Sequence, residues 1–270
     1  MHLVITGSSS GIGRALAAHF LTGGHAVWGL ARSAQDDFVA AHPGRFRASR
    51  CDVARWPEME KTAAEVGRAW PALDGVVCCA GWQGEIGPAL AADPLRWCET
   101  VRSNLEGTYF TLRAFRPWLG GGRRPKLVCF SGGGATKPRP NFSAYGAAKT
   151  AIVRLVETIA AEEGAKLDIN AIAPGAVATR MTEEVLRLGA AVAGETEVAA
   201  ALRQKEPGAG SPERAVALVD WLLSPASDGI SGRLLSAPWD AWEQLAGQKD
   251  AVSGSDLYTL RRVEGPAKRA

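Results

Sequence analysis

A short apolar strand, a glycine turn and a helix follow one another at the start of the chain, and that order narrows the fold more than any other feature. His2-Leu3-Val4-Ile5 leads directly into Thr6-Gly7-Ser8-Ser9-Ser10-Gly11-Ile12-Gly13, and a helical pattern begins at Gly11. Apolar runs then alternate with longer helical patterns along most of the 270 residues. Strands are predicted at 2–6, 26–31, 46–49, 75–79, 126–131, 167–172 and 233–237, and helices at 11–21, 57–70, 95–118, 142–163 and 212–223. Gly75-Val76-Val77-Cys78-Cys79 is apolar on consecutive positions, as a strand buried on both faces requires. Alternating strands and helices with right-handed crossovers give an α/β fold with a doubly wound parallel sheet, the Rossmann arrangement. No linker or repeat divides it, so residues 1–237 are expected to form one domain. Residues 238–270 are expected to form a tail packing on that domain or on a neighbouring subunit.

Bulk properties mostly exclude. Apolar residues make up 46% and charged residues 22%, and a net charge of +3 is too small to argue for nucleic acid or a membrane surface. No apolar run is long enough to span a bilayer. The strand at the very start leaves no room for a signal peptide, so a cytoplasmic location is expected. Cys51, Cys78, Cys79, Cys98 and Cys129 show no ligand spacing and are expected to be buried free thiols. The four histidines also lack ligand spacing, and no metal is expected. Arg123, Arg124 and Lys126 form a basic knot, read as a solvated turn.

In this context the glycine turn points to a nucleotide. Gly7, Gly11 and Gly13, with Ser9 and Ile12 between them, let the backbone approach a pyrophosphate, and the helix start supplies free N–H groups. A purely structural turn is the alternative. Asp52, after the third strand, is placed to accept from an adenine amino group, or to cap the following helix. Arg32 follows the second strand where a ribose 2′ position lies, and Ala31 stands where a carboxylate would favour NAD(H). NADP(H) is therefore the expected cofactor. Further on, Tyr145 and Lys149 share one helix face, and the ammonium is expected to lower the phenol pKa so that Tyr145 can exchange protons near neutral pH.

Together these motifs resemble the short-chain dehydrogenase/reductase family. The resemblance runs from His2 to about Ala237 through Thr6-Gly7-x-x-x-Gly11-x-Gly13, Asp52, Ala80-Gly81, Asn104, Tyr145-x-x-x-Lys149, and Pro174-Gly175 followed by Thr179. It implies a proton relay of Asn104, Lys149 and Tyr145, with Lys149 also holding the nicotinamide ribose. It further implies a nicotinamide flanked by Pro174, Gly175 and Thr179, and a homodimer or homotetramer. Two positions depart from the pattern. Cys78-Cys79-Ala80-Gly81 replaces the usual Asn-Asn-Ala-Gly. The usual catalytic serine position is Gly132, within Ser131-Gly132-Gly133-Gly134. A water, a substrate group, or Ser143, Asn141 or Thr136 could supply the hydroxyl instead. The loop could also bring Ser131 inward, or the chain could bind nucleotide with little turnover.

Substrate is the least legible part. Trp82, Gln83, Glu85, Arg139, Asn141, residues 181–188 and Trp239 or Trp242 are pocket candidates. Their mix of indole and charge suits a polyhydroxylated or heterocyclic small molecule. The tail resembles those of short-chain reductases found with saccharide-modifying and natural-product pathways. An NADPH-dependent ketone reductase, or the reverse alcohol oxidation, is the leading expectation. A nucleotide-binding sensor or scaffold and an epimerase using transient hydride transfer are the alternatives.

Overall fold

The computed structural model describes residues 1–263. Seven strands form one parallel sheet: β1 (His2–Thr6), β2 (Ala26–Ala31), β3 (Phe46–Arg50), β4 (Gly75–Cys78), β5 (Lys126–Phe130), β6 (Asp168–Ala173) and β7 (Leu234–Ser236). Their order is β3-β2-β1-β4-β5-β6-β7. The direction of winding reverses between β1 and β4, where open sheets of this kind bind ligands. Helices cover both faces: α1 (Gly11–Thr22), α2 (Asp36–Ala41), α3 (Trp56–Ala69), α4 (Pro94–Val101), α5 (Gly107–Phe115) and α6 (Ser143–Glu163). They continue as α7 (Arg180–Leu188), α8 (Ala190–Ala193), α9 (Glu195–Gln204), α10 (Glu213–Leu223) and α11 (Lys249–Ser253).

Two core layers sandwich the sheet, and β1 feeds both. Leu3 and Ile5 point into one with Leu16, Phe20 and Leu218, while Val4 points into the other with Met59, Val66, Phe115 and Ile152. Adjacent strand residues facing opposite layers explain the unbroken apolar runs. The glycine turn is packed as closely as its composition suggests. Gly7 has φ +74°, and a Cβ there would lie 2.9 Å from the Ala80 backbone. The Thr6 hydroxyl accepts hydrogen bonds from the Cys79 and Ala80 N–H groups at 3.1 and 3.0 Å, tying β1 to the end of β4.

Several expectations change. Residues 95–118 are not one helix: a π turn, Arg102–Glu106, separates α4 from α5, and a 3₁₀ turn closes at Arg116–Trp118. The π turn adds a residue to the helical register, a device often found at functional sites. The short helix α2 was not predicted, since six residues give little periodicity. Residues 176–210, whose sequence reads as a helical pattern interrupted by glycines, are as that reading expects: Gly189 and Gly194 at φ +71° and +93° divide them into α7, α8 and α9. The basic knot is not wholly solvated. Lys126 is 2% exposed, and its Nζ lies 2.7 Å from Asp168 Oδ2 and 2.6 Å from Asp228 Oδ1. Arg124 lies 2.7 Å from Asp168 Oδ1. The β5–β6 register, which sets Lys126 opposite Asp168, creates this buried pair. Cys98 is exposed rather than buried, because it faces outward on α4, and all five cysteines are free.

The described part of the tail packs on its own domain. Trp242 is buried against Trp221 at 5.8 Å between ring centroids, and its Nε1 donates to the Ala237 carbonyl. Leu245 and Val252 join the same core layer. Arg233 Nη1 donates to the carbonyls of Ser255 and Leu257, each at 2.8 Å, and the Leu234 N–H donates to Tyr258 O at 2.7 Å. Trp242 is thus a core residue and not a pocket residue. The basic close at Lys268 and Arg269 lies outside the described residues.

Candidate active site

A cleft of about 1350 Å³ opens over the carboxyl ends of the strands. Every strand contributes to it: Gly7 to Gly13 after β1, Arg32 after β2, Asp52 after β3, and Ala80 to Gln83 after β4. Ser131 to Gly134 follow β5, Pro174 to Thr179 follow β6, and Trp239 follows β7. The cleft's size suits a dinucleotide with a small molecule beside it, since single-ligand pockets run from roughly 300 to 1,000 Å³.

Its nucleotide end is built on α1. The Gly7 N–H donates to Leu30 O, and a Cβ on Gly13 would strike Gly7 O at 2.4 Å, so strand and helix meet only through glycine. Arg32 is exposed on the rim and, among the described residues, pairs with no carboxylate. Asp52 Oδ1 accepts from the Ala54 N–H at 3.0 Å, and Arg55 is the N-cap of α3, so the helix-capping alternative for Asp52 does not hold. Across the cleft, Pro174 and Gly175 lead out of β6. Thr179 caps α7, accepting from the Met181 N–H, while Thr182 Oγ1 accepts from the Thr179 N–H. A contact not anticipated joins the two walls: Arg180 Nη2 donates to Ser10 Oγ at 2.6 Å. Only the arginine's place just after Thr179 hinted at it.

The acid/base end centres on α6. Tyr145 and Lys149 are 8% and 3% exposed, and Lys149 Nζ lies 5.4 Å from the Tyr145 ring centroid. Lys149 Nζ donates to Phe130 O at 2.8 Å. Burial brings its pKa down from 10.5 to about 8. The expected lowering of the Tyr145 pKa does not occur. Burial raises it, outweighing the opposing pull of the Arg139 guanidinium 5.6 Å from the ring. Burial therefore favours the protonated form of the phenol.

Asn104 sits inside the π turn. Its Nδ2 donates to Trp82 O and Thr100 O, both at 2.9 Å, while its Oδ1 is sealed without a partner. A Cβ on Gly81 would stand 2.7 Å from that oxygen and 3.4 Å from Lys149 Nζ, so the two groups face the same small space.

Gly132 has φ +155°, and a Cβ there would fall 3.1 Å from Tyr145 Oη. Any side chain would crowd the phenol. Ser131 does not turn inward: its Oγ donates to Lys149 O at 2.9 Å. Ser143 Oγ accepts from Trp97 Nε1, and Asn141 accepts the Gly87 N–H through its backbone carbonyl and is not among the residues lining the cleft. Of the three hydroxyl or amide substitutes considered, Thr136 alone lines the cleft. Arg139 lines it too, but Glu197 on α9 takes its guanidinium in a two-pronged pair at 3.0 and 2.6 Å. Glu85 does not line the cleft and is paired with Arg96 at 2.9 Å. Trp82 and Gln83 form part of the wall, and Trp239, 86% exposed, stands on the rim.

A glycine-cradled cleft at the winding reversal of a parallel sheet, with a buried tyrosine and lysine one turn apart, defines a dinucleotide-dependent oxidoreductase. The family profile described as enoyl-(acyl carrier protein) reductase matches residues 7–237. The short chain dehydrogenase citE of Monascus ruber is 32% identical over 269 residues, covering 94% of this chain and 86% of that protein. The glucose 1-dehydrogenase of Gluconobacter oxydans is 30% identical over 188 residues, covering 66% of this chain and 69% of that protein. Among solved structures, a short-chain type dehydrogenase/reductase from Mycobacterium ulcerans superposes with a TM-score of 0.75 at 26% identity, covering 94% of this chain and 96% of that one. The chain belongs to the short-chain dehydrogenase/reductase family and is an NAD(P)-dependent oxidoreductase.

Proposed function

We propose that this enzyme reduces a ketone on a small polar metabolite with NADPH, or runs the reverse oxidation, with Tyr145 as the general acid/base. The observation that carries the reading is the buried Tyr145 phenol, held protonated beside a glycine that leaves its hydroxyl uncrowded. A nicotinamide cofactor held between the glycine turn and Pro174, Gly175 and Thr179 would supply hydride chemistry to a carbonyl carbon. Tyr145 gives its proton to the oxygen on which charge develops. Lys149, fixed by Phe130 O, brings a positive charge next to that phenol and to the space facing Asn104 Oδ1. The glycine turn accommodates the pyrophosphate, because a Cβ at Gly7 or Gly13 would fill the approach. The unpaired Arg32 guanidinium favours a 2′-phosphate over a 2′-hydroxyl. Relatives include a glucose dehydrogenase, in keeping with a hydroxylated substrate. The reading also takes the protein as a cytoplasmic homodimer or homotetramer. Exposed Leu95 and Tyr109 on α4 and α5 are apolar surface that self-association would bury.

Calorimetric titration with NADPH and NADH, followed by NADPH oxidation against keto-sugars, keto-nucleosides and cyclic ketones, tests this. NADPH is expected to bind more tightly, and at least one ketone to be turned over. Arg32→Ala should weaken NADPH by about tenfold, one charge-assisted contact, and NADH by less than about twofold. Equal losses for both would contradict the 2′-phosphate assignment. A second reading, a nucleotide-binding protein without turnover, draws on Gly132 alone. Nucleotide binding with no ketone consumed across the panel would favour it.

A further inference from the structure

Arg180 reaches across the nucleotide end of the cleft. It is the first residue of α7, on the β6 side, and its Nη2 donates to Ser10 Oγ at 2.6 Å, in the glycine turn after β1. The two segments touch beneath it: a Cβ on Gly11 would lie 3.3 Å from Thr179 Cγ2. Arginine and serine both line the cleft, and Arg180 is exposed to it. Nothing balances its charge. Among the described residues Arg180 pairs with no carboxylate, not even Glu183 in the first turn of its own helix, whereas Arg139 on the same cleft is held by Glu197. Its Nε and Nη1 have no acceptor among those residues either.

The place it reaches is itself short of negative charge. Ser10 is the N-cap of α1, yet its hydroxyl makes no capping bond, and the first turn of that helix carries no acidic residue. Unmet N–H groups and the positive end of the helix dipole therefore lie at the residue that the guanidinium touches. A cation is disfavoured at such an end, and Arg180 stands at the start of two helices at once. An anion between them satisfies the guanidinium and the helix start together.

We propose that Arg180 is a further cofactor-binding residue, which takes the pyrophosphate from the α7 side while Ser10 holds its guanidinium ready. The pyrophosphate bears anionic oxygens, and a planar guanidinium with Nη2 engaged keeps Nε and Nη1 for them. The Ser10 hydroxyl, unused as a cap, is free to fix the arginine before a ligand arrives, which lowers the cost of ordering it later. Arg180 differs in kind from Arg32. Arg32 faces the ribose 2′ position, where the two dinucleotides differ; Arg180 faces a group that both carry. It therefore strengthens NADPH and NADH alike, whichever substrate the enzyme turns over.

Calorimetry of NADPH, NADH and ADP-ribose on the parent, Arg180→Met, Arg180→Lys and Ser10→Ala tests this with no turnover involved. Arg180→Met should weaken all three ligands by a common factor of about tenfold, one charge-assisted contact. Arg180→Lys should recover part of the loss, because it keeps the charge without the fork. Ser10→Ala removes no cap and should cost about threefold, the expense of ordering an arginine no longer held. Added to Arg180→Met it should cost nothing more. Without ligand, melting temperatures should stay within about 2 °C of the parent, as for an exposed contact. Unchanged affinities in Arg180→Met overturn the proposal. A loss for NADPH alone would move Arg180 to the 2′-phosphate, and a loss that spares ADP-ribose would move it to the nicotinamide half; either overturns the pyrophosphate assignment. A large drop in the melting temperature of ligand-free Arg180→Met would make the contact a structural clasp and count against it too. A further loss in the double variant would show Ser10 binding for itself and overturn its holding role. None of these readouts uses a ketone, so they stand or fall apart from the reductase reading.

Discussion

Two buried lysines stand at opposite ends of the same sheet, and they are treated in opposite ways. Lys126, at the amino end of β5, is met by Asp168, Asp228 and the Ser227 hydroxyl. Lys149, beyond the carboxyl end of that strand, meets one backbone carbonyl and, among the described residues, no carboxylate. Both are at most 3% exposed. At the amino end, burial of charge is compensated within the chain. At the carboxyl end it is not: Lys149 has no carboxylate there, and the desolvated Tyr145 and the unpartnered Asn104 Oδ1 lie beside it, although Arg124 Nε and Asp168 Oδ1 at the amino end also lack a hydrogen-bond partner. A buried lysine left without a carboxylate beside a buried tyrosine in a cleft indicates where a ligand supplies the missing partner.

The comparison can be broken at either end. The largest effect is expected at Tyr145. Tyr145→Phe should lower kcat by about 10²–10⁴, the range for a lost general acid, with NADPH affinity within about twofold of the parent. A variant that keeps its rate would show that Tyr145 is not the acid, and that the unpaired end has been misread.

Next comes the paired end. Asp168→Ala strands Lys126 and Arg124 and should cost about 3–5 kcal/mol in chemical denaturation, the usual result of removing one partner from a buried ion pair. A loss under about 1 kcal/mol would mean that Asp228 and Ser227 suffice, and the contrast with Lys149 would weaken. A smaller effect is expected at Gly132. Gly132→Ser places a side chain at φ +155° and 3.1 Å from Tyr145 Oη. Strain of that kind costs about 1–3 kcal/mol. Turnover should fall, not rise. A gain in rate would show that the missing hydroxyl matters more than the room its absence leaves.

Much of this arrangement was legible in the sequence, for reasons that are local. A glycine turn between strand and helix, apolar runs broken by helical patterns, and a tyrosine four residues before a lysine are all short-range signals. They placed β1 to β7 and α6 to within a residue or two at most ends. What escaped depends on register or on a competing term. The π turn at Arg102–Glu106 leaves helical periodicity nearly intact, so 95–118 read as one helix. Arg139 with Glu197 and Lys126 with Asp168 are separated by 58 and 42 residues, and only tertiary packing brings them together. Spacing alone gave the proximity of Lys149 to Tyr145 but not the cost of burying both, and burial decided the direction of the tyrosine's shift.

Lys149 also sets the sign of a pH dependence. Its pKa in the folded protein, about 8, lies below the ordinary 10.5, so between those values the unfolded chain holds a proton that the folded one does not. Stability from this group alone rises with pH through that window, and its full cost is present below about pH 8. Cofactor binding should run the other way, because an anionic dinucleotide is held best by the charged form. The most direct test is the affinity for NADPH from pH 6.5 to 9.5, in the parent and in Lys149→Met. The account predicts a level profile below about pH 8 in the parent, then a weakening of up to about tenfold per pH unit, and no such break in the variant. A parent profile level throughout, or the same break in the variant, would contradict the claim that the unpaired lysine is there to meet the nucleotide.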